Sequence, residues 1–117
     1  MHYDSRIPIY LQVIAHLKKR IVSREINPGD KLPSARSLAV EYEINANTAA
    51  RIYKEMEAMG LCFTERGTGT FVTNDLSIVE RIKRETAEEL VKNFVKEMSA
   101  LGFSAKEMKQ AIEEELK

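Results

Sequence analysis

A short stretch of this chain gathers side chains suited to reading a nucleic acid duplex. Asn47 offers a donor and an acceptor on one amide, the pair that matches an adenine edge. Thr48 beside it can meet a phosphate oxygen or a thymine methyl, and Arg51 can reach guanine or phosphate. Lys54 follows on the same side. Upstream, Ser34 and Arg36 flank Ala35 just after Pro33. Downstream, Arg66-Gly67-Thr68-Gly69 combines a cation with two residues lacking bulk, a tip that can approach a minor groove or the backbone closely. Each feature also has a plainer reading. Asn47 and Thr48 can cap a helix, Arg36, Arg51 and Lys54 can be solvated surface charges, and the glycines can simply shape a turn.

These side chains need elements to hold them. Pro8 suits a first helical turn, and Ile9, Val13, Leu17 and Ile21, with Ile14 beside them, give one apolar stripe that predicts a helix to about Glu25. Asn27-Pro28-Gly29-Asp30 is a turn signal. Lys31-Leu32-Pro33 is extended, because Pro33 keeps Leu32 out of helical geometry. Ser34 is then an N-cap for a short helix through Tyr42, with Leu38, Ala39 and Tyr42 inward. Glu43 and Ile44 make a tight connection to a second N-cap, Asn45. The helix that follows runs to about Met59, with Ala49, Ile52, Met56 and Met59 inward and Gly60 beyond its end. Two β-rich runs around residues 66–69 predict a hairpin. The expected fold is therefore mainly α with a small β-hairpin: a winged helix-turn-helix, in which the second helix of the pair enters the major groove.

After residue 75 the texture changes. All three prolines and four of the five glycines lie earlier. Val79, Ile82, Leu90, Phe94, Met98 and Leu101 keep a helical beat, widened by Val91 and Val95, over about 25 residues or roughly 37 Å. Beyond Gly102, Ser104 and Glu107 form a capping box, with Phe103 and Met108 at the two staple positions. Met108, Ala111, Ile112 and Leu116 continue the apolar face. The chain thus divides into a winged domain, 1–74, and a two-helix tail, 75–117. The tail stripe can fold back on its own domain. It can also bury itself against a second copy across a two-fold axis, with Val79, Ile82, Leu90, Phe94, Met98, Met108 and Ile112 at the dimer interface.

Composition narrows the alternatives. A chain of 117 residues holds one domain plus an appendage. Lysines and arginines equal aspartates and glutamates, so any affinity for nucleic acid must come from local pattern and not from bulk charge. One cysteine, Cys62, excludes an internal disulfide and a multi-cysteine zinc site, and reads as a small buried strand residue before it reads as a redox sensor. His2 and His16 are too far apart for a metal motif. No hydrophilic-to-apolar leader and no membrane-length apolar run is present, so the cytoplasm is the expected location. The five methionines sit at helical apolar spacings and read as core filler. No arrangement of nucleophile, base and acid points to an enzyme, and no cofactor or metal is expected.

Several separate motifs, in order, resemble the DNA-binding domain of GntR-type bacterial transcription regulators. They are Tyr10-Leu11-Gln12 with Ile21, the run from Pro28 to Ala39, Asn45-Ala46-Asn47-Thr48, and Arg66-Gly67-Thr68-Gly69-Thr70-Phe71-Val72. The resemblance covers residues 7–74, and the short tail looks like that of the YtrA-type subfamily, in which it mainly dimerises. It implies phosphate and base contacts by Arg36, a recognition-helix start at Asn47 and Thr48, and a wing tip at Gly67. Many members carry base-reading arginines where this chain has Ala46 and Ala50, a departure that Arg51 and Asn47 can offset. The resemblance also implies a homodimeric repressor on a pseudo-palindromic double-stranded operator, with an unidentified small-molecule effector and no membrane partner. A rival expectation is a winged-helix adaptor that binds protein and not DNA.

Overall fold

Pro8 opens the first helix, α1 (Ile9–Val22), in a computed structural model that describes all 117 residues. Val13, Ile14, Leu17 and Ile21 are buried along one stripe, as the spacing predicts. Ile9, the first member of that expected stripe, is instead exposed, because the repeat begins one turn before the core does. The helix also ends short of Glu25. Arg24 takes a left-handed φ of 70°, and the chain turns through an Ile26 N–H that donates to the Arg20 carbonyl at 2.9 Å.

The helix pair forms from its caps inward. The Ser34 hydroxyl accepts from the Ser37 N–H at 3.1 Å and starts α2 (Ala35–Tyr42). The Asn45 amide oxygen accepts from the Thr48 N–H at 2.9 Å and starts α3 (Ala46–Ala58). Leu38, Ala39 and Tyr42 are buried from α2, and Ala49, Ile52, Tyr53 and Met56 from α3. Between the helices Glu43 sits at φ 54°, left-handed, and the Ile44 N–H donates back to the Ala39 carbonyl at 2.9 Å. A side chain in that region costs about 1–2 kcal/mol, which glycine avoids. Glu43→Gly is expected to raise stability by about 1 kcal/mol, seen as a higher urea midpoint with unchanged slope.

The hairpin pairs β1 (Cys62–Glu65) with β2 (Gly69–Val72), antiparallel. Pairing ends with Glu65 opposite Gly69, so the loop is Arg66–Thr68 and Gly69 belongs to the strand, not to the turn expected at 66–69. The segment before α2 adds to the free edge of β2: Lys31 bridges Phe71, and the Leu32 N–H donates to the Thr70 carbonyl at 2.8 Å. Backbone hydrogen bonds therefore tie the wing to the entrance of α2.

After the hairpin come α4 (Leu76–Ala100) and α5 (Ala105–Glu115). Two compact units result, Met1–Lys83 and Arg84–Lys117, with the division inside α4 and later than the expected 74/75 boundary. The reason is local. Val79 and Ile82 belong to the same buried cluster as Leu17, Leu38, Ile52, Met56, Leu61 and Val72. This corrects their expected place at a dimer interface: both are core residues of the first unit and unavailable to a partner.

The second unit is built on its turn. The Phe103 N–H reaches the Met98 carbonyl at 3.1 Å and the Gly102 N–H the Ser99 carbonyl at 3.0 Å, a Schellman ending with Gly102 left-handed. The expected capping box follows, Glu107 N–H to Ser104 Oγ at 3.2 Å and Ser104 N–H to Glu107 Oε1 at 2.9 Å. Met108 is buried within the single chain, so it too is not free for an interface, while Phe94 and Met98 are half-buried. Leu90 and Ile112 stay exposed, together with Val91, Val95, Leu101, Phe103 and Leu116.

Candidate nucleic-acid interface

The expected reading residues fall on the outer side of the helix pair. Asn47 is exposed and its amide makes no hydrogen bond within the chain. The capping work that would have explained it is done by Asn45. Thr48 is half-buried and supplies only its backbone N–H to that cap. Ser34 is the other cap, and its hydroxyl also donates to Ser37 Oγ at 3.1 Å, so its side chain is engaged in starting α2.

A shallow groove lies along this side. Its walls come from Ala35 at the start of α2, from Asn47, Ala50, Arg51 and Lys54 along α3, and from Thr64 and Thr70 on the hairpin. The two threonine hydroxyls are 3.2 Å apart across the strands. A partly buried bond ties α3 to the segment that leads into α2: the Tyr53 hydroxyl donates to the Pro33 carbonyl at 2.5 Å. Burial first, then the neighbouring Cys62, raises the Tyr53 pKa, so the hydroxyl keeps its proton and the tie persists across the working pH range. Cys62 itself is buried in the strand, its thiol pushed up to about 12 chiefly by burial, and it is no thiolate at neutral pH.

Charge on this unit is sorted. Arg6 pairs with Asp4, Arg20 with Glu25 and Glu41, and Arg24 with Glu80. Arg36, Lys54 and Arg66, all at the candidate interface, are exposed and form no ion pair; Lys18 and Lys19 of α1 are unpaired as well. A chain of zero net charge thus leaves free cations beside the groove, where phosphates release counterions on meeting them. One carboxylate, Glu57, lines the same groove.

Arg51 differs from the other three. Its Nε donates to Glu55 Oε1 at 3.2 Å, and its guanidinium carbon stands 3.8 Å from the centre of the Tyr10 ring. Stacking and a charge-assisted bond hold the guanidinium in place and leave its terminal amino groups for other acceptors. Tyr10 was not legible as a partner, since nothing in local spacing joins residue 10 to residue 51. In the wing loop Gly67 is left-handed with open space around it, and the Thr68 N–H closes the turn on the Glu65 carbonyl at 2.9 Å. Gly69 is different: a Cβ there would stand 2.7 Å from Lys31 Cε.

Comparison with known proteins shows the family and the fold. Residues 9–72 match the family described as bacterial regulatory proteins, gntR family. The HTH-type transcriptional regulator YhcF of Bacillus subtilis strain 168 is 42% identical over 94% of this chain and 91% of its own length. The HTH-type transcriptional repressor YtrA of the same organism is 34% identical over 94% of this chain and 85% of its own. A GntR family transcriptional regulator from Listeria monocytogenes superposes with a TM-score of 0.89 at 35% identity, covering 96% of this chain and 98% of that one.

Proposed function

The chain belongs to the gntR family of bacterial regulatory proteins, DNA-binding transcription regulators, and on that premise we propose that it is a cytoplasmic repressor binding a pseudo-palindromic operator as a homodimer. One observation carries the reading: an unpartnered Asn47 amide shares an exposed face of α3 with an unpaired Lys54, facing a groove walled by the hairpin. α3 lies in the major groove, Asn47 meets an adenine edge, Arg36 and Lys54 hold phosphates, and the Arg66–Thr68 loop enters the adjacent minor groove.

The second unit supports the dimer. Leu90 and Val91 on α4, and Leu101 and Leu116 just beyond the ends of α4 and α5, are each more than half exposed, apolar surface that a partner can cover. Two such units packed about a two-fold axis bury it as a four-helix arrangement and present two reading heads to half-sites roughly 34 Å apart. The repressor assignment is supported by the similarity to YtrA, an HTH-type transcriptional repressor.

Selection of the purified protein on a random-sequence duplex pool at low salt tests this. Enrichment of a two-fold repeated motif, with a light-scattering mass twice the 13.4 kDa chain, is the expected result. No enriched duplex would sink the DNA reading and favour the adaptor.

A further inference from the structure

We propose that Lys31 is an additional DNA phosphate contact, seated across Gly69 on the side of the wing turned away from α3. This rests on the DNA-binding reading above and adds to it the second strand of the minor groove.

The register assigns the faces. Thr64 and Thr70 pair with each other, and both line the groove beside α3. Their neighbours in the strands point the opposite way, as alternation requires. Phe63 pairs with Phe71, and Glu65 with Gly69. Lys31 bridges Phe71 and so shares this outer face. The lysine stem runs over Gly69, with a Cβ at that glycine falling 2.7 Å from Cε and 3.5 Å from Nζ. Gly69 also has φ 141°, a conformation that side chains rarely adopt. The glycine therefore makes room for the lysine, and the ammonium is carried beside the wing loop.

Nothing within the chain neutralises that ammonium. Lys31 is exposed and forms no ion pair, even with Glu65 on the same face. Backbone bonds on either side, Leu32 N–H to Thr70 at 2.8 Å and Val72 N–H to Asp30 at 2.9 Å, fix where the stem begins. A duplex supplies the complementary group. A wing in the minor groove stands between two sugar-phosphate walls about 6 Å apart. The wall nearest α3 is the strand shared with the major groove that α3 reads. The far wall meets the outer face of the wing, where Lys31 is the cation. It contacts phosphate and reads no base.

Lys31→Met keeps the stem and removes the charge. On a duplex selected by the wild-type protein from a random pool, the variant should bind more weakly in 0.1 M salt by about eightfold for each protomer, roughly sixtyfold for the dimer, with the slope of log affinity against log salt smaller by about 0.9 per protomer. Its preferred sequence and thermal unfolding should not change. Gly69→Ala should weaken binding too, and much less so when Lys31 is already methionine, because the displaced group is then uncharged. A wild-type salt slope for Lys31→Met overturns the contact while leaving the DNA reading standing. A wild-type protein that retains no duplex overturns both.

Discussion

Replacing Leu90 and Val91 together by glutamate is expected to turn the protein into a monomer and to cost operator affinity by about two to four orders of magnitude. Both side chains are exposed in the single chain, at 55% and 61%, and both lie on the continuous helix α4. Glutamate is a good helix former, so the helix should persist. Four new carboxylates brought together about a two-fold axis have no partner and oppose association. The affinity loss follows because the second half-site is no longer engaged at high effective concentration. Light scattering reads the mass, circular dichroism the helix content, and a gel shift the affinity. A double variant that remains dimeric would remove this face from the interface. The same substitution at Val79 or Ile82 should behave differently, unfolding the first unit, because those residues are 0% and 4% exposed and a charge there is buried without a partner.

That contrast marks where the sequence ran out. Val79, Ile82, Leu90 and Phe94 lie on one apolar stripe of one helix, and periodicity reports only that a stripe is covered, not by what. The first two turns of α4 enter the core of the first unit and the later ones do not, a division set by tertiary packing. Other features were legible because they are local. Residue type and position mark Ser34, Asn45 and Ser104 as caps, and each accepts the expected backbone N–H. The β-rich flanks and the glycines between them mark the hairpin. Its glycines were less legible. Gly67 and Gly69 carry the same letter, yet one stands in open space and the other lies under a lysine from a distant segment. Glu43 shows the opposite failure: a left-handed connector usually announces itself as glycine or asparagine, and here it does not. The Tyr10 ring under Arg51 and the Tyr53 hydroxyl on Pro33 are contacts between elements, which no local pattern records.

Asn47→Ala and Arg36→Ala are expected to weaken operator binding in two different ways. Asn47 has a free amide on the exposed face of α3, suited to the bidentate pairing that distinguishes adenine. Such a pairing is worth about 1–3 kcal/mol, and a dimer makes it twice, so the alanine variant should lose about 2–6 kcal/mol on its best duplex. It should lose far less on an unrelated duplex, and repeated selection should show relaxed preference at one position in each half-site. Arg36 has no acceptor within the chain and stands on the first turn of α2, outside the recognition helix. Its removal should weaken specific and unrelated duplexes by similar factors and reduce the salt slope by about one for each protomer. Neither change should alter the free energy of unfolding by more than about 0.5 kcal/mol, since both side chains are exposed and unbonded. An adaptor that uses this face for protein would show no difference between matched and unmatched duplexes for either variant. An Asn47→Ala protein with unaltered sequence preference would take base reading away from α3 and leave only a backbone-binding role for the groove.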